Sequence, residues 1–255
     1  MRSTAEISGA CPDATAAGDS IYHAFTLRAD KRFGHGLLFQ ASYTFSKLID
    51  NVPERFAGRS PLNNPYNLRA SRSLSDQDRS QIFVTNFVYE LPFGSGHRWV
   101  GNGVAGKIVG NWQVSGILTF ENGQPVVVTG PNNTQLPGVS SSAMRLHDSR
   151  LTSGQSIARW FDTTAFTSAP LFSLGTDSRT QPNLRNPGIV NADLGLSRYQ
   201  PITEHMRLQF RAEMFNATNK VNFNAPQPSV TATNFGQITA AAGGRVVQLG
   251  LRLAF

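Results

Sequence analysis

Cysteine, charge and long apolar runs are all scarce in this sequence, and each shortage removes a class of protein. One cysteine, Cys11, excludes an internal disulfide. Charged residues make up 15% of the chain, against roughly 25% in soluble globular proteins. No stretch approaches the roughly 18 apolar residues of a membrane-spanning helix, so a spanning fold here has to be a β-barrel. Acidic side chains are also few, 16 against 23 basic ones, leaving a net charge of +7. The basic residues are scattered and build neither a helical stripe nor an aromatic RNA-binding motif, so no nucleic-acid partner is expected. A basic lumen and basic loops would instead attract anionic ligands or lipopolysaccharide.

Catalytic and metal-ligating patterns are missing as well. His23, His35, His97, His147 and His205 lie far apart, without the spacing of a metal site, and no metal or cofactor is expected. Asp148 and Ser149 beside His147 are the residue types of a triad. They sit in a polar stretch without a strand-to-helix elbow, and they read as solvated. Gly94-Ser95-Gly96 is a turn that lacks the lysine and following helix of a phosphate loop. The sequence therefore predicts no catalytic residue and no enzyme. Ser8-Gly9-Ala10-Cys11 has the outline of a lipoprotein cleavage box but no apolar region before it.

What the chain has is aromatic and turn-forming residues: 17 Phe against 5 Tyr and 3 Trp, with 23 Gly and 14 Pro. Seven segments carry strand character: 20–33, 36–46, 79–90, 111–121, 189–199, 206–216 and 245–255. All the prolines fall outside them, as hydrogen-bonded ladders require. In the second segment Leu37, Phe39, Ala41, Tyr43 and Phe45 share one face, and Leu38, Gln40, Ser42, Thr44 and Ser46 the other. The fourth sets Trp112, Val114, Gly116, Leu118 and Phe120 against Gln113, Ser115, Ile117, Thr119 and Glu121. In the sixth, Met206, Leu208, Phe210, Ala212 and Met214 oppose Arg207, Gln209, Arg211 and Glu213. The last segment sets Val247, Leu249, Leu251, Leu253 and Phe255 against Gln248, Gly250 and Arg252. The inner positions of these four apolar faces carry no charge, as a lipid-facing surface requires. The third segment has apolar residues on both faces, Ile82, Val84 and Val88 against Phe83, Phe87 and Tyr89, and its lipid side stays open.

The connections alternate in length, with a tight turn at 34–35 and long stretches at 47–78, 122–188 and 217–244. This is the pattern of short periplasmic turns and long extracellular loops. Strand-end aromatics then form two belts, with Phe33, Tyr89, Trp112, Tyr199 and Phe255 below and Phe25, Tyr43, Phe45, Phe120 and Phe215 above. Residues 1–19 fall on the extracellular side as an irregular segment or loop remnant, and 20–255 form barrel wall. Seven is odd, whereas a bacterial single-chain barrel has an even number of strands. The chain is accordingly expected to be the C-terminal piece of a larger barrel; an eighth strand around Phe235 to Thr239 would instead permit a small closed one.

Seven stretches together resemble a known family: YTFSKLIDN from Tyr43, YELPFGSG from Tyr89, GNWQVSGILTFENGQPVVV from Gly110, RWFDTTAF from Arg159, NPGIVNADLGLSR from Asn186, LQFRAEMFNATNKVNF from Leu208 and FGQITAAAGGRVVQLGLRLAF from Phe235. As a set they are similar to the Oar-like TonB-dependent outer-membrane receptors. The resemblance implies an all-β, antiparallel transmembrane barrel, of which this chain supplies about seven or eight of about 22 strands. It implies uptake of a bulky ligand such as an oligosaccharide or peptide, powered through TonB and a plug domain. No signal peptide or plug is present in this sequence, so the piece is not expected to transport alone. Its expected surroundings are outer-membrane lipid and the barrel-assembly machinery, with Phe255 as the assembly signal. Asp193, Arg207, Arg211 and Glu213 are the lumen-facing candidates, for bracing the wall or for guiding a ligand. The competing class is a secreted all-β carbohydrate-binding or adhesin module, whose strands would average about 5 to 6 residues.

Overall fold

The computed structural model describes residues 18–34, 36–51, 67–93, 110–135, 142–203 and 206–255. Twelve strands follow in chain order: β1 (Ser20–Gly34), β2 (Leu37–Asp50), β3 (Ser73–Leu74), β4 (Gln81–Glu90), β5 (Trp112–Glu121), β6 (Pro125–Val126), β7 (Met144–Arg145), β8 (Phe166–Thr167), β9 (Gln181–Arg185), β10 (Ile189–Pro201), β11 (Arg207–Phe215) and β12 (Val246–Ala254). The only helical turns among the described residues are 3-10 turns at Leu68–Ser71 and Thr163–Ala165. The long strands β1, β2, β4, β5, β10, β11 and β12 stand side by side in that order, each antiparallel to the next, with β3 attached to the upper end of β2. These are the seven segments that the alternation marks.

The largest boundary difference lies in β2, which runs on to Asp50. Its apolar alternation breaks at Lys47, but hydrogen bonding continues because Ser20 to His23 of β1 supply partners up to Asp50. Similarly β10 reaches Pro201, opposite Arg207, where a residue without an N–H can end a ladder.

Residues directly opposite one another on antiparallel neighbours point to the same side, so register carries a face from strand to strand. One row crosses the whole wall: Lys31, Phe39, Phe87, Gly116, Leu194, Met214 and Val247. Its counterpart on the other face runs Leu38, Val88, Ser115, Gly195, Glu213 and Gln248. This settles β4. Phe83, Phe87 and Tyr89 join the apolar face, while Ile82, Val84 and Val88 lie on the mixed, more polar one.

Gly116 lets the apolar face close tightly, because a Cβ there would stand 2.6 Å from the Phe87 ring and 2.9 Å from a Leu194 methyl. Along the row that crosses the wall, Lys31 lies at the lower end of β1's apolar stretch, whereas Val247 lies at the upper end of β12's. The apolar band therefore runs diagonally to the hydrogen-bond rows, as it must when strands tilt across a bilayer.

The wall is an open, partial barrel. Among the described residues β1 and β12 do not pair, and both are exposed along their length. They run in the same direction, because β12 is the seventh strand of an antiparallel series. A wholly antiparallel closure thus needs an odd number of further strands between them. A second copy of this wall would supply seven, but head-to-tail joining would place β12 parallel to the next β1.

Two expectations are corrected here, and others fall on residues that are not described. Residues 235–239 are not a strand: Phe235, Gly236 and Gln237 donate their N–H groups to Ala232, Gln227 and Asn234, and Gly236 adopts φ +75°, which breaks any ladder. Tyr199 and Phe215 leave the lipid belts, since register puts Tyr199 opposite Gln209 and Phe215 opposite Val246, on the polar side. The side chain of Phe33, residues 1–17 with Cys11, and His35, His97, His205 and Gly94 to Gly96 lie outside the described residues.

Adjacent positions on β5 test the assignment of faces. Leu118→Arg should cost about 2 to 4 kcal/mol of folding stability in a bilayer and Thr119→Arg much less. Refolding titrations into lipid vesicles compare them.

Candidate functional site

The polar face is laced by cross-strand hydrogen bonds. Arg28 donates to Asp30 (2.7 and 3.1 Å), Gln40 Nε2 donates to Asp30 (2.8 Å), and Asn86 Nδ2 donates to Gln40 (3.2 Å). These four side chains link β1, β2 and β4. Further along, Ser197 donates to Gln113 (3.4 Å), and Gln209 donates to the Tyr199 hydroxyl (2.9 Å).

All four lumen candidates lie on this face, but they do not form one cluster. Arg211 and Glu213 pair with each other. Asp193 accepts the backbone N–H of Asn216 (2.8 Å) and so pins the turn beyond β11. Asp193 and Glu213 border a shallow recess of about 350 Å³ with Ser115, Ile117 and Gly195. Arg207 lies at the opposite end of the wall, beside a recess of about 510 Å³ that also touches Glu90, Gln113 and Tyr199. Arg211 and Glu213 thus spend their charge on each other, and Asp193 on the turn beyond β11. Arg28 and Asp30 were missed, although their i, i+2 spacing on a strand placed them on one face.

The second feature is a cap above the wall, which alternation could not reveal. Its core gathers Val126, Val128, Ala143, Phe161, Ala165, Phe166 and Leu184 from 122–188, and Val230 and Phe235 from 217–244. Phe161, Phe166 and Phe235 meet edge to face in all three pairings, with ring centroids 5.3 to 6.1 Å apart. Such pairs contribute about 0.5–1.5 kcal/mol each beyond area burial. RWFDTTAF has a structural reading here. Arg159 pairs with Asp162, the Trp160 ring N–H donates to the Arg185 carbonyl (2.7 Å), and Asp162 accepts from the Thr164 N–H (3.2 Å) and hydroxyl (2.8 Å). A Cβ on Gly236 would stand 2.6 Å from the Thr163 methyl, so the two loops interlock only with glycine there.

Two arginines, Arg179 buried and Arg185 half-buried, fasten this cap to the rim of the wall. Arg179 forms an ion pair with Asp50 at the end of β2 and also donates to the Ser71 carbonyl (3.3 Å). Arg185 donates to Asp78 (2.6 Å) and to the Gly123 carbonyl (3.0 Å), while the other Asp78 oxygen accepts the Leu48 N–H (2.6 Å). The stretch NATNKVN fixes the second loop. Asn216 bonds both backbone groups of Lys220 (3.0 Å each), and Asn222 bonds both backbone groups of Val190 (2.9 and 3.0 Å), extending the β10 ladder with a side-chain amide.

Of the triad-like residues, His147 Nδ1 meets only a backbone carbonyl, and Asp148 is held by Arg150. The solvated reading fails for Ser149, which is buried beneath Asp162, whose N–H it accepts at 2.8 Å. No group of three or more metal-ligating side chains occurs among the described residues. Phe255 is almost fully exposed below β12.

Cap carboxylates differ in their chemistry. Burial pushes Asp177 above the usual carboxylate range, although Gln181 donates to it. The Thr164 hydroxyl holds Asp162 below that range. Asp177 thus favours the folded cap below its ordinary value and loses that contribution as pH rises through its raised one; Asp162 acts in the opposite sense. Carboxyl-carbon NMR titration should find Asp177 still protonated where Asp162 is ionised. Arg179→Ala leaves Asp50 buried without its partner and should weaken cap docking by about 3 to 5 kcal/mol, read as faster hydrogen exchange across 160–185 with β10–β12 unchanged.

A continuous antiparallel wall with one uncharged apolar band and one hydrogen-bonded polar face is the architecture of a membrane barrel. The family model of the outer membrane beta barrel domain matches residues 4–248. No curated protein and no solved structure matches the chain. An uncharged apolar face suits lipid and a polar face suits a lumen; the chain belongs to the outer membrane beta barrel domain family and resides in the bacterial outer membrane.

Proposed function

We propose that this chain is the barrel-wall portion of a TonB-dependent, Oar-like receptor that takes up a bulky ligand such as an oligosaccharide or peptide, with no catalytic role of its own. The observation that carries this reading is the cap: two long extracellular loops share an aromatic core and are bolted to the rim by Arg179 and Arg185. A barrel that served only as a passive wall would have no need to order so much chain above the membrane. A preorganised outer surface over a polar-lined wall suits capture followed by passage. Transport itself needs the strands that close the wall and a plug through which TonB acts. Phe255 is the terminal residue offered to the barrel-assembly machinery. The secreted-module alternative is disfavoured by wall strands of 9 to 15 residues, far above the roughly 5 to 6 of soluble sheets.

A photo-crosslinking amino acid at Gln209, on the polar face, tests the reading in native outer membranes. The receptor reading expects a polypeptide adduct from a plug segment, and protonophore-sensitive uptake of fluorescent oligosaccharides or peptides that disappears when the gene is deleted. An adduct-free Gln209 probe, or uptake indifferent to the protonophore, would contradict it.

A further inference from the structure

The apolar face carries no acidic side chain on any wall strand. Its basic groups are confined to strand ends: His23 and Lys47 at the extracellular end, Lys31 and Arg198 at the periplasmic end. Arg198 is accommodated by its surroundings, over the Trp112 ring at 5.6 Å and donating to the Gly110 carbonyl and to Gln200. His23 and Lys47 are different. They stand directly opposite each other across β1 and β2, both exposed, and neither side chain has a hydrogen-bonding or ion-pairing partner among the described residues.

The same register sets Ile21 and Ile49 one pair above them and Phe25 and Phe45 one pair below. Phe25 is 63% exposed and Phe45 53%, so the lower pair offers its rings to acyl chains. Two basic side chains placed opposite each other on a greasy face are costly unless an anion lies between them. At the extracellular boundary of an outer membrane that anion is available from lipid.

We propose that His23 and Lys47 form a docking site for the phosphate of the outer-leaflet glycolipid, lipopolysaccharide, with Phe25 and Phe45 against its acyl chains. The Lys47 ammonium supplies the charge, and the His23 ring supplies an N–H donor. The outward face of this wall then holds a lipid at a fixed height, independent of any uptake role.

The test uses the full chain extracted from its own outer membrane in mild detergent, with bound lipid A counted per chain by mass spectrometry after washing. A double His23→Gln, Lys47→Gln variant should retain lipid roughly fivefold less or lower, from the loss of about one basic contact or more. Lys47→Arg should retain the wild-type amount, as should Lys220→Gln in the extracellular loop. Diphosphorylated lipid A should displace the bound lipid, whereas dephosphorylated lipid A and inorganic phosphate should not. Equal retention by the double variant, or equal displacement by dephosphorylated lipid or by inorganic phosphate, would overturn the proposal. If the double variant fails to reach the membrane, the single Lys47→Gln chain carries the same comparison.

Discussion

Sideways backbone pairing governs this molecule. In hydrocarbon every N–H and C=O needs a partner within the protein, and the antiparallel meander provides one for each interior strand. That pairing also dictates chemistry, because residues placed opposite one another must share a face. Once Leu208 pairs with Leu253 and Phe210 with Leu251, the even positions of β11 and the odd positions of β12 face lipid together. The rule propagates through six interfaces, with one register shift between Lys31 and Gly34 at the end of β1, and delivers every acidic wall residue to the polar side.

Above the membrane water is available, and the constraint changes. Loops 122–188 and 217–244 are free to gather an apolar core of their own, and their backbone groups find partners in short ladders and turns rather than in a continuous sheet. The two regimes meet at the rim, where Arg179 and Arg185 reach down from the cap to Asp50 and Asp78. Both charges are buried at Arg179–Asp50, and at Arg185–Asp78 the carboxylate is: removing either arginine leaves a desolvated carboxylate behind, so cap and wall are coupled in a way that apolar contact alone would not achieve.

The wall was largely legible because period two is a local signal. β5, β11 and β12 announce themselves within ten residues each. β4 announced a strand but not its face, since Ile82, Val84 and Val88 are as apolar as Phe83, Phe87 and Tyr89; only its register against Phe39 and Gly116 decides. The cap was not legible. Val126, Phe161 and Phe235 follow no period, and Arg179 is 129 residues from Asp50, so their meeting depends on tertiary structure. Arg211 and Glu213 were readable as a polar-face pair, whereas the role of Asp193 as anchor for Asn216 depends on where the β11 chain turns.

Spin labels placed singly from Leu208 to Met214 of β11, in outer-membrane vesicles, probe the central claim most directly. Collision with oxygen, which concentrates in lipid, should peak at 208, 210, 212 and 214, and collision with a water-soluble nickel chelate should peak at 209, 211 and 213. A flat profile, or one with these positions exchanged, would contradict the assignment of the apolar face to lipid.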